Sequence, residues 1–213
     1  MSISTVIFDM DGLLSDTESV HMLSYQKTLE KYDFSLSDQE YIDHWITNGF
    51  GIYEFVKNKS LNLDYLHLRK EKTEIFHKLL HEKLNPMPYA KEIVHNLFGK
   101  KKMALASSAH REDVDSVLKL LELDRFFDVI VSGSEVSRSK PAPDIFIFAA
   151  EKLNVNPSEC IVLEDALKGV IAANSAKMKV IAIPNIYTEN NDFSTADYVM
   201  DSLRDAEKVI LEM

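Results

Sequence analysis

Five short apolar runs, each followed by a polar turn and a helical pattern, constrain the fold of this chain more than any other feature. They are Ser4 to Phe8, Met103 to Ala106, Val129 to Val131, Cys160 to Leu163 and Val180 to Ile183. Their near-continuous apolar character, with little polar alternation, is that of strands buried on both faces, as in a parallel sheet. Between them Ala90 to Phe98, Arg111 to Leu121, Asp144 to Leu153 and Leu167 to Ala176 carry apolar residues at helical spacing. Alternation of this kind predicts an α/β fold: a Rossmann-like parallel sheet flanked by helices, joined by right-handed crossovers.

One interval breaks the rhythm. From Thr17 to about Glu82 only helical pattern is found, in Thr17 to Tyr32, Ser37 to Trp45, Ile52 to Lys59 and Asp64 to Leu84. Roughly 65 residues is far more than the dozen or so that a crossover needs. It reads as an inserted all-helical domain, 16–82, in an α/β core made of 1–15 and 83–213. Asn85-Pro86-Met87-Pro88 punctuates the return to that core.

Composition narrows the partners. With 24 Lys and Arg against 34 Asp and Glu, the net charge of -10 repels polyanions, so neither nucleic acid nor an anionic membrane is expected as a partner. No apolar stretch approaches the ~18 residues that span a bilayer. The short run Val6-Ile7-Phe8 is interrupted at once by Asp9 and Asp11 with no basic residue before it, unlike a signal peptide. The single cysteine, Cys160, has no internal disulfide partner and sits in an apolar run, which fits core packing in a reducing compartment. A cytoplasmic monomer is expected.

In open parallel sheets, ligands bind beyond the carboxyl ends of the strands. The residues there are Asp9-Met10-Asp11-Gly12, Ser107-Ser108-Ala109-His110, Ser137-Arg138-Ser139-Lys140-Pro141 and Glu164-Asp165. Clustered carboxylates would repel one another unless a cation neutralised them. Oxygen ligands without clustered His or Cys favour Mg²⁺ over Zn²⁺. Lys140 and the Ser107 turn supply a point charge, a hydroxyl and helix-start N–H groups, which together suit a phosphate. A free carboxylate beside the metal can attack phosphorus, and a second one two residues later can protonate the leaving oxygen and then activate water. Gly12 leaves room for a tight turn.

These stretches also carry a likeness. Phe8-Asp9-Met10-Asp11-Gly12-Leu13-Leu14-Ser15-Asp16-Thr17-Glu18, Ala104-Leu105-Ala106-Ser107-Ser108, Ser139-Lys140-Pro141-Ala142-Pro143-Asp144 and Leu163-Glu164-Asp165-Ala166-Leu167-Lys168-Gly169 resemble, in order and spacing, the four motifs of the haloacid dehalogenase superfamily. The chain is most similar to its helical-cap group, which holds beta-phosphoglucomutase and phosphoglycolate and sugar-phosphate phosphatases. The inserted helices occupy the cap's place. The resemblance implies Asp9 as nucleophile and Asp11 as general acid and base. It implies Mg²⁺ on the Asp9 side chain, the Asp11 carbonyl and Asp165, with Glu164 close by. Ser107, Ser108 and Lys140 would grip the phosphoryl group of a small phosphorylated substrate. The carboxylate of Asp11 favours phosphoryl transfer, since the dehalogenases lack one there. Ala166, Tyr89, Lys177 and Ser139 depart from the common pattern at turn positions and remove no catalytic group.

In the inserted segment His21 and Lys72 fall where the mutase has a histidine coupled to closure and a substrate-contacting lysine. The run Arg69-Lys70-Glu71-Lys72 is also charged enough for a solvated helix face. Ile46 to Gly51 would be the specificity loop; it lacks the mutase's phosphate-holding arginine, and no arginine lies between Lys31 and Lys57. Trp45, Phe50 and Tyr53 suit either a pocket lining or the core of the helical segment. Hydrolysis of a phosphorylated metabolite, most naturally a sugar phosphate, is therefore the first reading. A phosphomutase is the second, and a non-catalytic binding protein on the same fold is a third.

Overall fold

A computed structural model describes residues 3–213. In chain order, β1 (Thr5–Phe8) is followed by helices α1 (Thr17–Glu30), α2 (Asp38–Tyr41), α3 (Ile52–Asn58) and α4 (Tyr65–Lys83). Then come α5 (Ala90–Leu97), β2 (Lys102–Ser107), α6 (Arg111–Leu120), β3 (Val129–Ser132), α7 (Asp144–Leu153), β4 (Cys160–Glu164) and α8 (Leu167–Ser175). β5 (Lys179–Ala182), a two-residue β6 (Tyr198–Val199) and α9 (Leu203–Glu212) complete the chain. It divides into two compact units, 1–16 with 85–213 and Thr17–Leu84; the insertion expected from the sequence was 16–82.

The first unit holds one parallel sheet in the order β3-β2-β1-β4-β5-β6. β1 lies at its centre, with Phe8 level with Leu105 on one side and Leu163 on the other. Val6, Ile7 and Phe8 are all fully buried, so both faces of the sheet are covered, as their unbroken apolar run requires. On one face Ile7, Ala104, Val162 and Val180 pack with Phe146 and Ala149 of α7 and Val170 and Ala173 of α8. Cys160 belongs to this core, and burial pushes its thiol up to about 11. Side chains finish the strand edges: Asp128 accepts the Met103 N–H and Asp197 the Val180 N–H, each at 2.8 Å.

In the second unit α1 packs along α4. A separate core joins Leu29, Tyr41, Ile52, Phe55, Val56 and Leu68. Trp45 packs against it, stacked on Tyr41 at 5.0 Å and close to Phe55 at 4.9 Å, whereas Phe50 and Tyr53 are exposed. Ser37 and Glu40 form a capping box at α2, and Asp64 caps α4 through the Leu66 N–H. The helix expected over Ser37 to Trp45 becomes, after α2, a wider turn of π-helix over Ile42–Thr47. Among the described residues, no helix is long and apolar enough to cross a membrane.

Candidate active site

The strand order reverses between β1 and β4, and a ligand crevice belongs at their carboxyl ends. Asp9 is the first residue past β1, and its N–H still bonds to Leu163 O at 3.0 Å, so its backbone is anchored to β4. The chain then turns sharply. The carbonyl of Met10 accepts the N–H groups of Leu13, Leu14 and Ser15, and the Gly12 N–H bonds to Ser15 O at 2.8 Å. Gly12 has φ +84, and a Cβ there would lie 2.4 Å from Asp165 Oδ2. The turn therefore admits only glycine in this arrangement.

Lys140 arrives from the loop before α7. Its Nζ lies 2.5 Å from Asp9 Oδ1, 2.7 Å from Glu164 Oε1 and 3.0 Å from the Ala106 carbonyl. Those three acceptors occupy all three ammonium protons. The side chain is 1% exposed. Burial by itself would lower the Lys140 pKa, but Asp9 and Glu164 outweigh it and raise it. Lys140 is thus a fixed positive charge.

One ammonium does not neutralise three buried carboxylates. Burial raises Asp9 to about 7, against the pull of Lys140 and with the help of Glu164 and Asp11. Burial, then Glu164 and Asp9, holds Asp165 well above the usual carboxylate range. Asp9, Glu164 and Asp165 each offer an oxygen within 4.8 Å of the others. This all-oxygen, surplus-negative donor set fits a hard divalent cation such as Mg²⁺. Glu164 is the most committed of the three, with Oε1 on Lys140 and Oε2 accepting the Ala166 N–H at 3.0 Å.

The Asp11 carboxylate stands apart from that trio. Its Oδ2 accepts a hydrogen bond from Ser107 Oγ at 3.0 Å, while Ser107 Oγ in turn accepts the Ala109 N–H at 3.1 Å. Ser107 is fully buried at the end of β2, and Ser108 is exposed beside it. Asp9, Asp11, Ser107, Lys140, Glu164 and Asp165 therefore gather in the α/β unit.

His21 and Lys72 meet each other in the helical unit, with Lys72 Nζ 2.6 Å from His21 Nδ1. The His21 ring stacks on Phe76 at 4.1 Å, and Lys72 lies over the same ring at 4.7 Å and over Tyr25 at 4.9 Å. Burial, with Lys72 beside it, holds His21 well below its usual pKa, so its neutral Nδ1 accepts from the ammonium. Lys72 is buried, at 9% exposure, and does not lie on a solvated face.

Asn185 was not expected from the sequence. Its Nδ2 donates to Asp165 Oδ2 at 2.8 Å and to Gly12 O at 3.0 Å. It follows β5, so the rule that ligands bind beyond the carboxyl ends of parallel strands also points to it.

Residues 6–183 match the family described as haloacid dehalogenase-like hydrolase. The chain belongs to that family. This hydrolase is 31% identical over 182 residues to the fructose-1-phosphate phosphatase YqaB of Escherichia coli, covering 84% of the chain and 95% of the relative. It is 33% identical over 185 residues to the phosphorylated carbohydrates phosphatase of Thermotoga maritima, covering 83% and 82%. Among solved structures, CbbY of Rhodobacter sphaeroides in complex with phosphate superposes with a TM-score of 0.80 at 27% identity, covering 94% of both chains.

Proposed function

We propose that this hydrolase is a Mg²⁺-dependent phosphatase that cleaves a small sugar phosphate through an aspartyl-phosphate intermediate. One observation carries the reading. At the carboxyl end of β1, Asp9 is held by Lys140 beside a surplus of buried carboxylate charge, and a second carboxylate, Asp11, stands two residues on, held by Ser107.

The roles follow from where each atom sits. Asp9 attacks phosphorus as the bond to the leaving oxygen breaks, and Asp11 gives that oxygen its proton. Asp11 then takes a proton from the water that cleaves the aspartyl phosphate, and the Ser107 hydroxyl holds its carboxylate at Oδ2 in position for both transfers. Lys140 balances the negative charge that builds on Asp9 and the phosphoryl oxygens. Asp9 and Asp165, with Glu164 adjoining, would hold Mg²⁺, which when bound screens the attacking carboxylate from the phosphoryl charge. Lys140, itself anchored on Glu164, otherwise serves to keep the nucleophile oriented.

We assign substrate choice to the unit Thr17–Leu84, the helical cap of this reading. The phosphatase names of the two relatives support a sugar phosphate. The segment Ile46 to Gly51, which runs from the end of the π-helical turn to the start of α3, has no basic residue for a second phosphate, which favours water as acceptor. A phosphomutase is the second reading, because Lys72 is the only Lys or Arg buried in that unit among the described residues. Release of inorganic phosphate across a panel of phosphorylated sugars, with and without a chelator, tests the first reading. Turnover of para-nitrophenyl phosphate with Mg²⁺ excludes a merely binding protein. With beta-glucose 1-phosphate and a trace of glucose 1,6-bisphosphate, glucose 6-phosphate forming faster than free phosphate would establish the mutase instead.

A further inference from the structure

The Asn185 side chain is saturated with partners drawn from three separate parts of the α/β unit. Oδ1 accepts the Tyr187 N–H at 2.8 Å and the Thr188 hydroxyl at 3.4 Å. That main-chain donor fixes the amide orientation, because only the oxygen can face an N–H. Nδ2 is thereby turned to Asp165 Oδ2 and to the Gly12 carbonyl, one proton for each. The Asn185 N–H bonds to Thr188 Oγ1 at 3.0 Å, and Thr188 is buried at 7% exposure. The clamp closes only because Gly12 lacks a side chain, since a Cβ there would lie 2.8 Å from Asn185 Nδ2.

We propose that Asn185 is a positioning residue for the cation: it pins Asp165 through Oδ2, ties the motif turn at Gly12 to the loop after β5, and so aims the other Asp165 oxygen. This rests on the Mg²⁺ reading above. An amide is the right group for the task. It donates to a carboxylate without adding charge, so Asp165 is oriented while its negative charge stays available to a metal. Hydrogen-bond partners that orient metal ligands in this way are typically worth about 10- to 100-fold in metal affinity.

The test uses the full chain stripped of metal and titrated with Mg²⁺ by calorimetry, alongside para-nitrophenyl phosphate turnover as a function of Mg²⁺. Asn185→Ala should weaken Mg²⁺ binding about 10- to 100-fold, with turnover recovering to within about threefold at saturating Mg²⁺. Thr188→Val, which keeps the amide but loosens its support, should weaken Mg²⁺ binding measurably, though less than Asn185→Ala does. A loop staple without a role at the metal would instead lower turnover at every Mg²⁺ concentration and leave the affinity alone, and that result overturns the proposal. If Asn185→Ala does not fold, Thr188→Val decides: unchanged Mg²⁺ affinity overturns it. Absence of Mg²⁺ binding in the wild type would remove the cation reading and this proposal with it, whereas wild-type binding matched by both variants overturns this proposal alone.

Discussion

Gly169→Ala is a substitution that helix propensity and this structure judge with opposite signs. Gly169 sits in the first turn of α8, where alanine is ordinarily worth about 1 kcal/mol of added stability. Here a Cβ would fall 1.7 Å from Glu164 Oε1 and 1.8 Å from its Cδ. Carbon and oxygen need roughly 3.2 Å or more, so Glu164 has to move by well over an ångström. Its bonds to Lys140 at 2.7 Å and to the Ala166 N–H at 3.0 Å cannot survive that shift. Breaking one partner of a buried ion pair costs about 3–5 kcal/mol. Set against the propensity gain, the net loss is about 2–4 kcal/mol, or some 5–15 °C in melting temperature for a chain of this size. Thermal melting of the full chain measures it. Glu164→Ala removes the obstacle, so in that background Gly169→Ala should be neutral or slightly stabilising. A Gly169→Ala protein that melts at or above the wild type would refute the reasoning.

Lys140→Ala should lower the turnover rate constant at least about 100-fold, with a much smaller change in Michaelis constant, because the charge it supplies is needed most as phosphorus is attacked. Steady-state kinetics with para-nitrophenyl phosphate separates the two; a change confined to the Michaelis constant would leave Lys140 as a binding group only. Asp11→Asn should cost about 10²–10⁴-fold with an alkyl phosphate and clearly less with para-nitrophenyl phosphate, whose leaving group needs no proton. Equal losses would count against the acid role. The pH dependence has a definite sign. Burial lifts Asp9 from 3.8 in the unfolded chain to about 7, so the folded metal-free protein holds a proton that the unfolded chain releases. Its contribution to stability therefore falls as pH rises from about 4 to 7. Denaturant melts in chelator should show that slope less steeply in Asp9→Asn than in the wild type, because the buried Asp165, also raised, still contributes, while Mg²⁺ affinity should fall as pH drops below about 7.

Much of the fold was legible because buried parallel strands leave an unmistakable trace: Val6-Ile7-Phe8 and Cys160-Ile161-Val162-Leu163 are apolar on both faces, and the helices between them are long enough to show their period. β6 left none, being two residues, Tyr198 and Val199, that pair with β5 beside polar neighbours. The π-helical turn at Ile42–Thr47 was equally invisible, since one extra residue in a turn hardly alters a short apolar pattern. The charged neighbours of Lys72 suggested a solvated face, yet Leu68, Lys72, Phe76 and Leu79 follow one buried stripe of α4. Periodicity was the better guide there than local composition. At the site, residues at the ends of strands were found because the sheet itself points to them. What no spacing conveys is the exchange of hydrogen bonds among them: that Lys140 serves two carboxylates and a carbonyl at once, or that Gly169 is glycine to make room for Glu164.

The nucleophile is the centre of the proposed chemistry, and Asp9→Asn tests it most directly. The amide nearly preserves the shape of the side chain and can still accept a hydrogen bond from Lys140, but it cannot form an acyl phosphate. Phosphate release from the best sugar phosphate of the panel is to be measured at saturating Mg²⁺, with bound Mg²⁺ and the melting curve determined on the same preparation. The expected result is a folded protein that still binds the cation and whose turnover has fallen by about 10⁴-fold or more, the scale on which removal of a covalent nucleophile is felt. Residual turnover above about 1% of wild type, with Mg²⁺ retained, would contradict it and leave Asp9 as a metal ligand alone.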